Sequence, residues 1–503
     1  MPNQEEEKSK VAGELEIQEK GSVLDNLLKK VNMEISEETV NLDQVLKGKL
    51  SRGGGLAIAI DHLIREITAT GTAVEILDKN IIDVAIARID EKLSAQVNEV
   101  LHHEDFQKME SAWQGLWFAV EKTDFRQNIQ MEMLSCSKEK LLEDFEESPE
   151  TVQSGLYKQL YDREYDQPGA NPVTAMVANY EFDKTPQDLQ LLQNVAKVAA
   201  ATHSPFISSV GASFFGESSL EELPKKPDIS KVFTQSEYTK WNSFRQSEDS
   251  RYVGLTMNRF MLRLPYTQGT VKNFNFNEEV LDSPDKYLWG NPAFAFLANL
   301  NRCFAKHGWA VNIRGPQSGG KVEDLPVHVY ESSGGTQTRI PTEIMLSERK
   351  EFELAENGFI PLSIYKNQDF AVFFSAQSTQ KPIKYDTADA TANAKLSANL
   401  PYLFLVSRLS HYLKVLQREE IGGATERDEL EKGLDRWIKL LVTESSSPTV
   451  EQKAKYPLKD ASVAVTENPE SPGFYNVTMK VRPHFQVEGV NVDLSLVSKM
   501  PSK

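Results

Sequence analysis

The stretch VTAMVANYEF (residues 173–182) and the stretch TPQDLQLLQNVAKVAAA (185–201) that follows it decide the fold class of this chain. The first has the composition of a strand. The second carries threonine, proline and aspartate at the N-cap, first and third positions of a helix, where they suit its free N–H groups. The next strand begins at Pro205. Because strand, helix and strand alternate, the sequence predicts an α/β layer with some parallel pairing.

The same alternation returns further along the chain. Asn291 and Pro292 open a predicted helix that runs to about Lys306 and leads into a predicted strand, WAVNI. After the serine-rich TESSSP near Pro448, three more strands are predicted: ASVAV, FYNVTMKVRP and FQVEGVNVDLSLVS. In the middle one, apolar and polar residues alternate, so one face is apolar and the other polar. The apolar row is Tyr475, Val477, Met479 and Val481.

Two amphipathic helices precede the α/β region. In the first, over 81–101, apolar residues recur at spacings of three and four, which is typical of a helix with one buried stripe. That stripe is Ile82, Ile86, Ile89, Leu93, Val97 and Val100. The second helix places Phe106, Met109, Trp113, Leu116 and Val120 on one face. Two interpretations stay open: the core of a lone domain, which periodicity alone favours, or one side of a helix bundle that another protein completes.

The length of 503 residues exceeds what one small core needs, so several domains or layers are expected. The predicted class is α/β, of a mixed α+β kind. Residues 1–60 form a partly flexible N-terminal arm, 61–150 a helical region, 151–380 a central α/β domain, and 381–503 a C-terminal region of helix and strands.

Composition excludes several function classes. The net charge of −17 argues against a nucleic-acid partner that is held by phosphate neutralisation. The N-terminus lacks the basic and apolar regions of a signal peptide, and the longest uncharged window, 198–216, is interrupted by His203 and Pro205. No membrane insertion is therefore expected, and the sequence predicts a cytoplasmic protein.

Two patterns mimic a chemical site. RGPQSGGKV places Gly315, Gly320 and Lys321 in the spacing of a phosphate-binding loop, yet Val322 replaces the hydroxyl residue that holds magnesium. Pro326 follows where such a loop needs a helix. The adjacent residues 102–104 (His, His, Glu) point in different directions on a helix, which disfavours a shared metal ion. No cofactor, metal or catalytic residue is predicted.

The stretch 241–292 concentrates arginines and aromatic residues, a composition enriched at protein interfaces. It includes RYVGLTMNRFMLRLPY (251–266) and most of YLWGNPAF (287–294). No nucleophile sits beside a base in it. Its arginines have two interpretations: they pair with acids inside one subunit, or they reach acids on a neighbouring subunit and set the register between protomers. The arginines in question are Arg245, Arg251, Arg259 and Arg263.

These blocks, together with PTEIMLSERKEFELAENGFIPL (341–362), LPYLFLVSRLSHYLKVLQREEIG (400–422) and RPHFQVEG (482–489), resemble the large sheath subunit of bacterial type VI secretion systems. The resemblance covers nearly the whole chain from about Asp83, with the blocks in family order. One difference is Asn258, where the family usually carries proline before the Arg-Phe pair. The resemblance implies a layered sheath-subunit fold.

The resemblance also implies the function and the partners. Large and small sheath subunits form heterodimers that stack into a helical tube around an inner tube, above a baseplate; the sheath contracts, and an AAA+ ATPase disassembles it. The two amphipathic helices would then contact the small subunit, through Ile82, Ile89, Leu93, Val97 and Trp113. The apolar row of the C-terminal strand would link protomers, with a segment near residues 23–31 as a candidate partner strand. The alternatives are an α/β enzyme with a degenerate phosphate loop and a non-contractile phage-tail-like scaffold.

Overall fold

The computed structural model describes residues 79–272, 274–332, 334–419, 427–445, 447–467 and 475–484. The predicted N-terminal arm, the candidate strand near residues 23–31 and the last predicted strand lie outside these residues. The chain divides into two compact units. One contains residues 79–110 and 265–286, and the other contains the described residues of 111–264 and 287–484.

The strands are β1 Met176–Phe182, β2 Phe206–Val210, β3 Val253–Met257, β4 Phe260–Met261, β5 Trp289–Gly290, β6 Lys321–Val322, β7 His328–Ser332, β8 Gly335–Arg339, β9 Phe359–Ile364, β10 Ala371–Phe373, β11 Leu458–Glu467 and β12 Tyr475–Pro483. The α-helices of six residues or more are α1 Lys79–Leu101, α2 Glu104–Glu121, α3 Lys138–Glu147, α4 Pro186–Thr202, α5 Thr239–Gln246, α6 Pro292–His307, α7 Glu348–Glu356, α8 Ala388–Ser397, α9 Leu400–Glu419, α10 Arg427–Lys439 and α11 Val450–Lys455.

A six-stranded sheet forms the centre of the larger unit, in the order β1-β2-β3-β9-β10-β6. The first four strands are parallel, and β10 and β6 are antiparallel to their neighbours. This arrangement confirms the predicted α/β class with parallel pairing. Strands β2 and β3 are buried at every residue, as expected for parallel strands with both faces covered.

The helix that follows β1 begins as its sequence predicts. The Thr185 side chain accepts a hydrogen bond from the Asp188 N–H, and Pro186 stands at the first helical position. One face of α4, with Leu192, Val195 and Ala199, belongs to one core of the sheet. Helix α6 contributes Ala295 and Phe296 to a second core, which also contains Ile207 of β2 and Ile360 of β9.

Helix α6 ends at His307, close to the predicted end, but WAVNI is not a strand. Trp309, Val311 and Ile313 of this segment are buried. Their spacing of two residues gives the sequence the apolar alternation that is typical of a strand. The strand that pairs with β10 is instead β6, which begins eight residues after Ile313. A third core lies between α9, α10 and the β11–β12 hairpin.

Helix α9 contributes to both the second and the third core. Near its middle, the buried His411 donates a hydrogen bond from Nε2 to the Thr202 carbonyl at the end of α4, at 2.9 Å. Burial lowers the pKa of His411 to about 4, so the imidazole is neutral near pH 7. The histidine therefore joins α9 to the central sheet region as an uncharged contact.

Candidate assembly surfaces

Helix α2 buries its small residues. Gly115 and Ala119 are buried, and a Cβ at Gly115 would lie 2.4 Å from Cδ2 of Phe294 on α6. One turn earlier, the Ser111 hydroxyl donates to the Trp289 carbonyl at 2.7 Å. Only a residue without a side chain fits this close approach, so Gly115 determines which side of the helix faces the protein.

The opposite side of α2 exposes large apolar residues. Trp113 and Trp117, one turn apart, are 62% and 63% exposed, and Met109 and Val120 are exposed as well. The prediction that one face of this helix, with Trp113, Met109 and Val120, is buried in the core of a lone domain is therefore wrong for these residues. Hydrophobic periodicity identified the apolar stripe, but the side of the helix that packs against the protein is the side with the small residues Gly115 and Ala119. Exposed apolar patches of this kind mark interaction surfaces.

Helix α1 also buries a polar residue and exposes part of its predicted apolar stripe. The side chain of Asn98 is buried and accepts a hydrogen bond from the Glu279 N–H at 3.3 Å. His102 lies 3.5 Å from the Glu278 carboxylate, which agrees with a polar helix junction there. Of the predicted contact residues on α1, Leu93 is exposed and Ile89 and Val97 are half-buried. The side chain of Ile82 is not among those that the structure describes.

Two of the four predicted interface arginines are bound tightly inside the chain. Arg245 is buried, and its guanidinium donates to the carbonyls of Thr379 at 3.0 Å and Glu356 at 2.9 Å. Burial lowers the pKa of Arg245 to about 10, which leaves it charged at neutral pH. Arg259 donates to both carboxylate oxygens of Glu343, at 2.7 and 2.9 Å. These contacts favour the first interpretation for Arg245 and Arg259.

The other two arginines make local contacts. Arg251 donates from Nε to the Glu248 carbonyl at 2.9 Å, with the Glu248 carboxylate 3.8 Å away. Arg263 donates to the Leu264 carbonyl at 3.2 Å. In the contacts given above, no two of the four arginines share a partner, and an inter-subunit role for them stays a prediction.

Asn258 takes a conformation that proline cannot adopt. Its φ is +72°, and its buried side chain donates to the carbonyls of Ile344 and Leu362 and accepts from the Ile344 N–H. The side chain thus ties the end of β3 to two other segments. This turn differs from the one that a proline would make at the same position.

The phosphate-loop pattern forms sheet structure. The Gly315 N–H donates to the Phe373 carbonyl, and the Phe373 N–H donates to the Gly320 carbonyl. Lys321 lies 2.8 Å from the Glu323 carboxylate and 4.1 Å from the centre of the Phe370 ring. A strand, β6, follows in place of a helix. Backbone and lysine are therefore engaged in contacts that a phosphate would have to displace.

The predicted apolar row of the C-terminal strand lies on β12, which pairs antiparallel with β11 of the same chain. Val477, Met479 and Val481 are half-buried against the third core, and Tyr475 is exposed. Among the residues that the structure describes, this sheet has two strands. A link to a neighbouring protomer through this strand stays a prediction.

Exposed large apolar residues on one helix are a feature of proteins that build assemblies. In the described part of the chain, no group of side chains is placed to hold a metal ion. Nor does any described helix have the length and apolar character needed to cross a bilayer.

Comparison with known proteins identifies the assembly. Residues 83–380 match the model of the EvpB/VC_A0108 tail sheath N-terminal domain, and residues 389–500 match the tail sheath gpW/gp25-like domain of the same family. The type VI secretion system sheath protein TssC1 of Pseudomonas aeruginosa is 47% identical over 429 residues, which cover 84% of this chain and 86% of that protein.

Two solved structures resemble the chain weakly. A chain of the anti-feeding prophage baseplate has a TM-score of 0.35 at 10% identity, covering 74% of this chain and 84% of that one. A chain of an extracellular contractile injection system sheath in the contracted state has a TM-score of 0.33 at 7% identity, covering 60% and 68%. Similarity at this level supports no assignment by itself.

The chain belongs to the EvpB/VC_A0108 tail sheath family of type VI secretion systems. It is a structural subunit of a contractile secretion sheath. The enzyme alternative finds no support in these comparisons.

Proposed function

We propose that this sheath subunit works in the bacterial cytoplasm as a heterodimer with a small sheath subunit. The heterodimers polymerise above a baseplate and around an inner tube, and contraction of the polymer drives that tube outward. An AAA+ ATPase then disassembles the contracted sheath. The chain supplies structure and no catalysis in this scheme.

The observation that carries the proposal is the two-sided character of α2. Gly115 and Ala119 hold one side against the protein, while Trp113 and Trp117 stand in solvent on the other. Covering two tryptophan side chains contributes several kcal/mol at about 25 cal/mol per Å² of apolar surface, before the costs of association. A helix of the small subunit that lies along this stripe would gain that contribution.

The regional division supports the same scheme. We assign residues 61–150 to packing with the small subunit, 151–380 to the central α/β domain and 381–503 to sheath assembly, with 1–60 as an arm. On α1, the exposed Leu93 and the half-buried Ile89 and Val97 provide apolar surface, and on α2 the exposed Trp113 does so.

The test compares two variants of the full chain that is co-expressed with the small sheath subunit. Trp113→Ser with Trp117→Ser should abolish co-purification of the small subunit and reduce aggregation of the chain alone, because the exposed stripe is removed. Phe352→Ser is the matched control, since Phe352 on α7 is 54% exposed and far from α2 in sequence. It should leave the heterodimer intact.

Two results would contradict the proposal. One is a double variant that still binds the small subunit with unchanged affinity. The other is an unmodified chain that, without the small subunit, is a monodisperse monomer with a sharp unfolding transition.

A further inference from the structure

A small cavity lies beside the last turn of α2. Its volume is about 160 Å³, and its apolar walls are Phe118 of α2, Ala298 of α6 and Val322 of β6. Sites for small-molecule ligands are usually larger, with volumes of roughly 300–1,000 Å³. The size of this cavity therefore suits one side chain of another protein better than a free ligand.

Asn299 of α6 also lines the cavity, and half of its amide is unpaired. The residue is 1% exposed, and its Oδ1 accepts a hydrogen bond from Nη2 of Arg302 at 2.8 Å. Among the described residues, the buried Nδ2 has no hydrogen-bond partner. Because this group only donates, and a buried donor without an acceptor is unfavourable, an occupant of the cavity is expected to bring an acceptor oxygen.

The loop with the phosphate-binding pattern fixes the orientation of this amide. Nη2 of Arg302 donates to the carbonyl of Gly319 at 3.2 Å and to the carbonyl of Lys321. An arginine held in this way has only donors to offer, so it binds the oxygen of the Asn299 amide and not the nitrogen. The unpaired donor therefore follows from the contacts of Arg302, and turning the amide over would not remove it.

The charged groups around the cavity carry an excess of positive charge. Nζ of Lys122 lies 2.6 Å from the Asp324 carboxylate, and Nζ of Lys321 lies 2.8 Å from that of Glu323. Arg302 is a third cation, 3.8 Å from Glu323. Three cations against two acids leave one positive charge, in a chain whose net charge is −17. The acceptor that suits this place best is therefore an anionic one, a carboxylate.

An incoming carboxylate would replace Asp324 on Lys122. The side chain of Asp324 is 78% exposed, and exposed ion pairs contribute little to stability. The exchange of one carboxylate for another at Lys122 thus costs little, whereas the buried Nδ2 of Asn299 gains the acceptor that it lacks. The balance of these two changes favours the occupied cavity.

The cavity borders the exposed apolar stripe of α2. Trp117 immediately precedes Phe118, and the exposed Val120 stands two residues before Lys122. Successive helical residues are about 100° apart around the axis, so the cavity opens on the flank of the stripe, at its C-terminal end. A helix that lies along the stripe can place one long side chain there. The surface that we assign to the small subunit is therefore continuous with the cavity.

We propose that the cavity receives a glutamate side chain of the small sheath subunit. Its carboxylate accepts hydrogen bonds from Nδ2 of Asn299 and Nζ of Lys122, and its methylene groups pack against Phe118 and Val322. This inference rests on the proposed heterodimer and adds a polar anchor beside the tryptophans of α2.

The experiment measures how fast small subunits exchange between dye-labelled and unlabelled heterodimers of the full chain. Asn299→Asp keeps the shape of the side chain and an acceptor for Arg302, but it puts negative charge where the donor was. Exchange should become faster by about ten-fold or more, the order expected when a hydrogen bond with a charged partner is lost.

Asp324→Asn should have the opposite effect, because it removes the acid that competes for Lys122. Asparagine tolerates the φ of +59° at this position as aspartate does. Exchange should become slower by about two- to five-fold, the order of one exposed ion pair. Glu237→Gln is the matched control and should leave the rate unchanged. Glu237 lies 2.6 Å from Lys184, which is as exposed as Lys122, and neither residue of this pair lines the cavity.

A carbodiimide, which joins an amine to a carboxylate in contact with it, identifies the partner of Lys122 directly. In the unmodified heterodimer, mass spectrometry should find Lys122 joined to a glutamate of the small subunit. Asn299→Asp should reduce the yield of that product. Its absence from the unmodified heterodimer would overturn the inference.

Two other results would overturn it as well. One is an exchange rate that Asn299→Asp does not raise or that Asp324→Asn does not lower; the heterodimer, and with it the proposed function, would then still stand. The other is saturable binding of glutarate to the heterodimer in calorimetry that Asn299→Asp abolishes, since the cavity would then serve a free carboxylate. Failure of the unmodified chain to bind the small subunit would instead contradict the proposed function itself.

Discussion

Replacing Arg245 by methionine distinguishes the two interpretations of the interface arginines. The guanidinium is buried and donates to two backbone carbonyls, at Thr379 and Glu356. Methionine keeps much of the apolar stem and removes both hydrogen bonds. The last carbonyl of α7 and the segment at Thr379 then lose their buried donor.

The size of the effect follows from these contacts. Hydrogen bonds with a charged partner contribute about 1.5–3 kcal/mol each, so two of them correspond to roughly 3–6 kcal/mol. Burial of the charge opposes this gain, as the lowered pKa of Arg245 shows. We therefore expect Arg245→Met to lower the free energy of unfolding by about 3 kcal/mol, within the upper range for single substitutions.

The assay is denaturant unfolding of the purified heterodimer, with Arg251→Met as the control. Arg251 has only local contacts with Glu248, so its replacement should change the free energy of unfolding by less than about 0.5 kcal/mol. A stable Arg245→Met heterodimer that fails to form tubes would refute the reasoning. It would show that this arginine acts between subunits.

Three further predictions concern packing, pH and chemistry. Gly115→Ala should destabilise the chain by about 1–3 kcal/mol, because the new Cβ meets Phe294. Gly433→Ala, in α10 with open space around it, should stabilise by up to about 1 kcal/mol; equal unfolding midpoints for the two variants would contradict this contrast. The pKa of His411 is lowered from 6.5 to about 4 in the folded chain, so the unfolded chain binds more protons between these values. The free energy of unfolding should therefore fall as the pH drops from about 6.5 toward 4, and His411→Asn should flatten that part of the profile; an identical slope in the variant would count against it. Lys321→Ala should assemble and contract normally, and purified sheath should bind no ATP, which calorimetry can check; saturable binding that the variant loses would reverse this view.

Local signals in the sequence predicted the sheet region well. The cap at Thr185 with Pro186, and the alternation along residues 475–481, are encoded within a few residues, so they needed no knowledge of the rest of the chain. Local signals of this kind did not predict which side of α2 is buried. Gly115 is buried because Phe294, far away in sequence, comes to lie against it, and hydrophobic periodicity gives no weight to a glycine.

The arginines show the same limit. The partners of Arg245 are backbone carbonyls more than a hundred residues away, and every residue type has such a carbonyl. A search of the sequence for acidic residues near each arginine therefore does not find these carbonyl partners. Arg259 and Glu343 are a pair of opposite charges, but nothing in their spacing marks that pair among 73 acidic residues.

The exposed pair on α2 also gives the chain an optical reporter. Of its six tryptophans, Trp241, Trp289 and Trp309 are buried and Trp437 is partly buried, which leaves Trp113 and Trp117 as the two in water. Indole emits at shorter wavelength when water leaves its surroundings. The fluorescence of the chain should thus shift toward the blue as a protein covers that helix, and it would follow this event in real time without an attached dye.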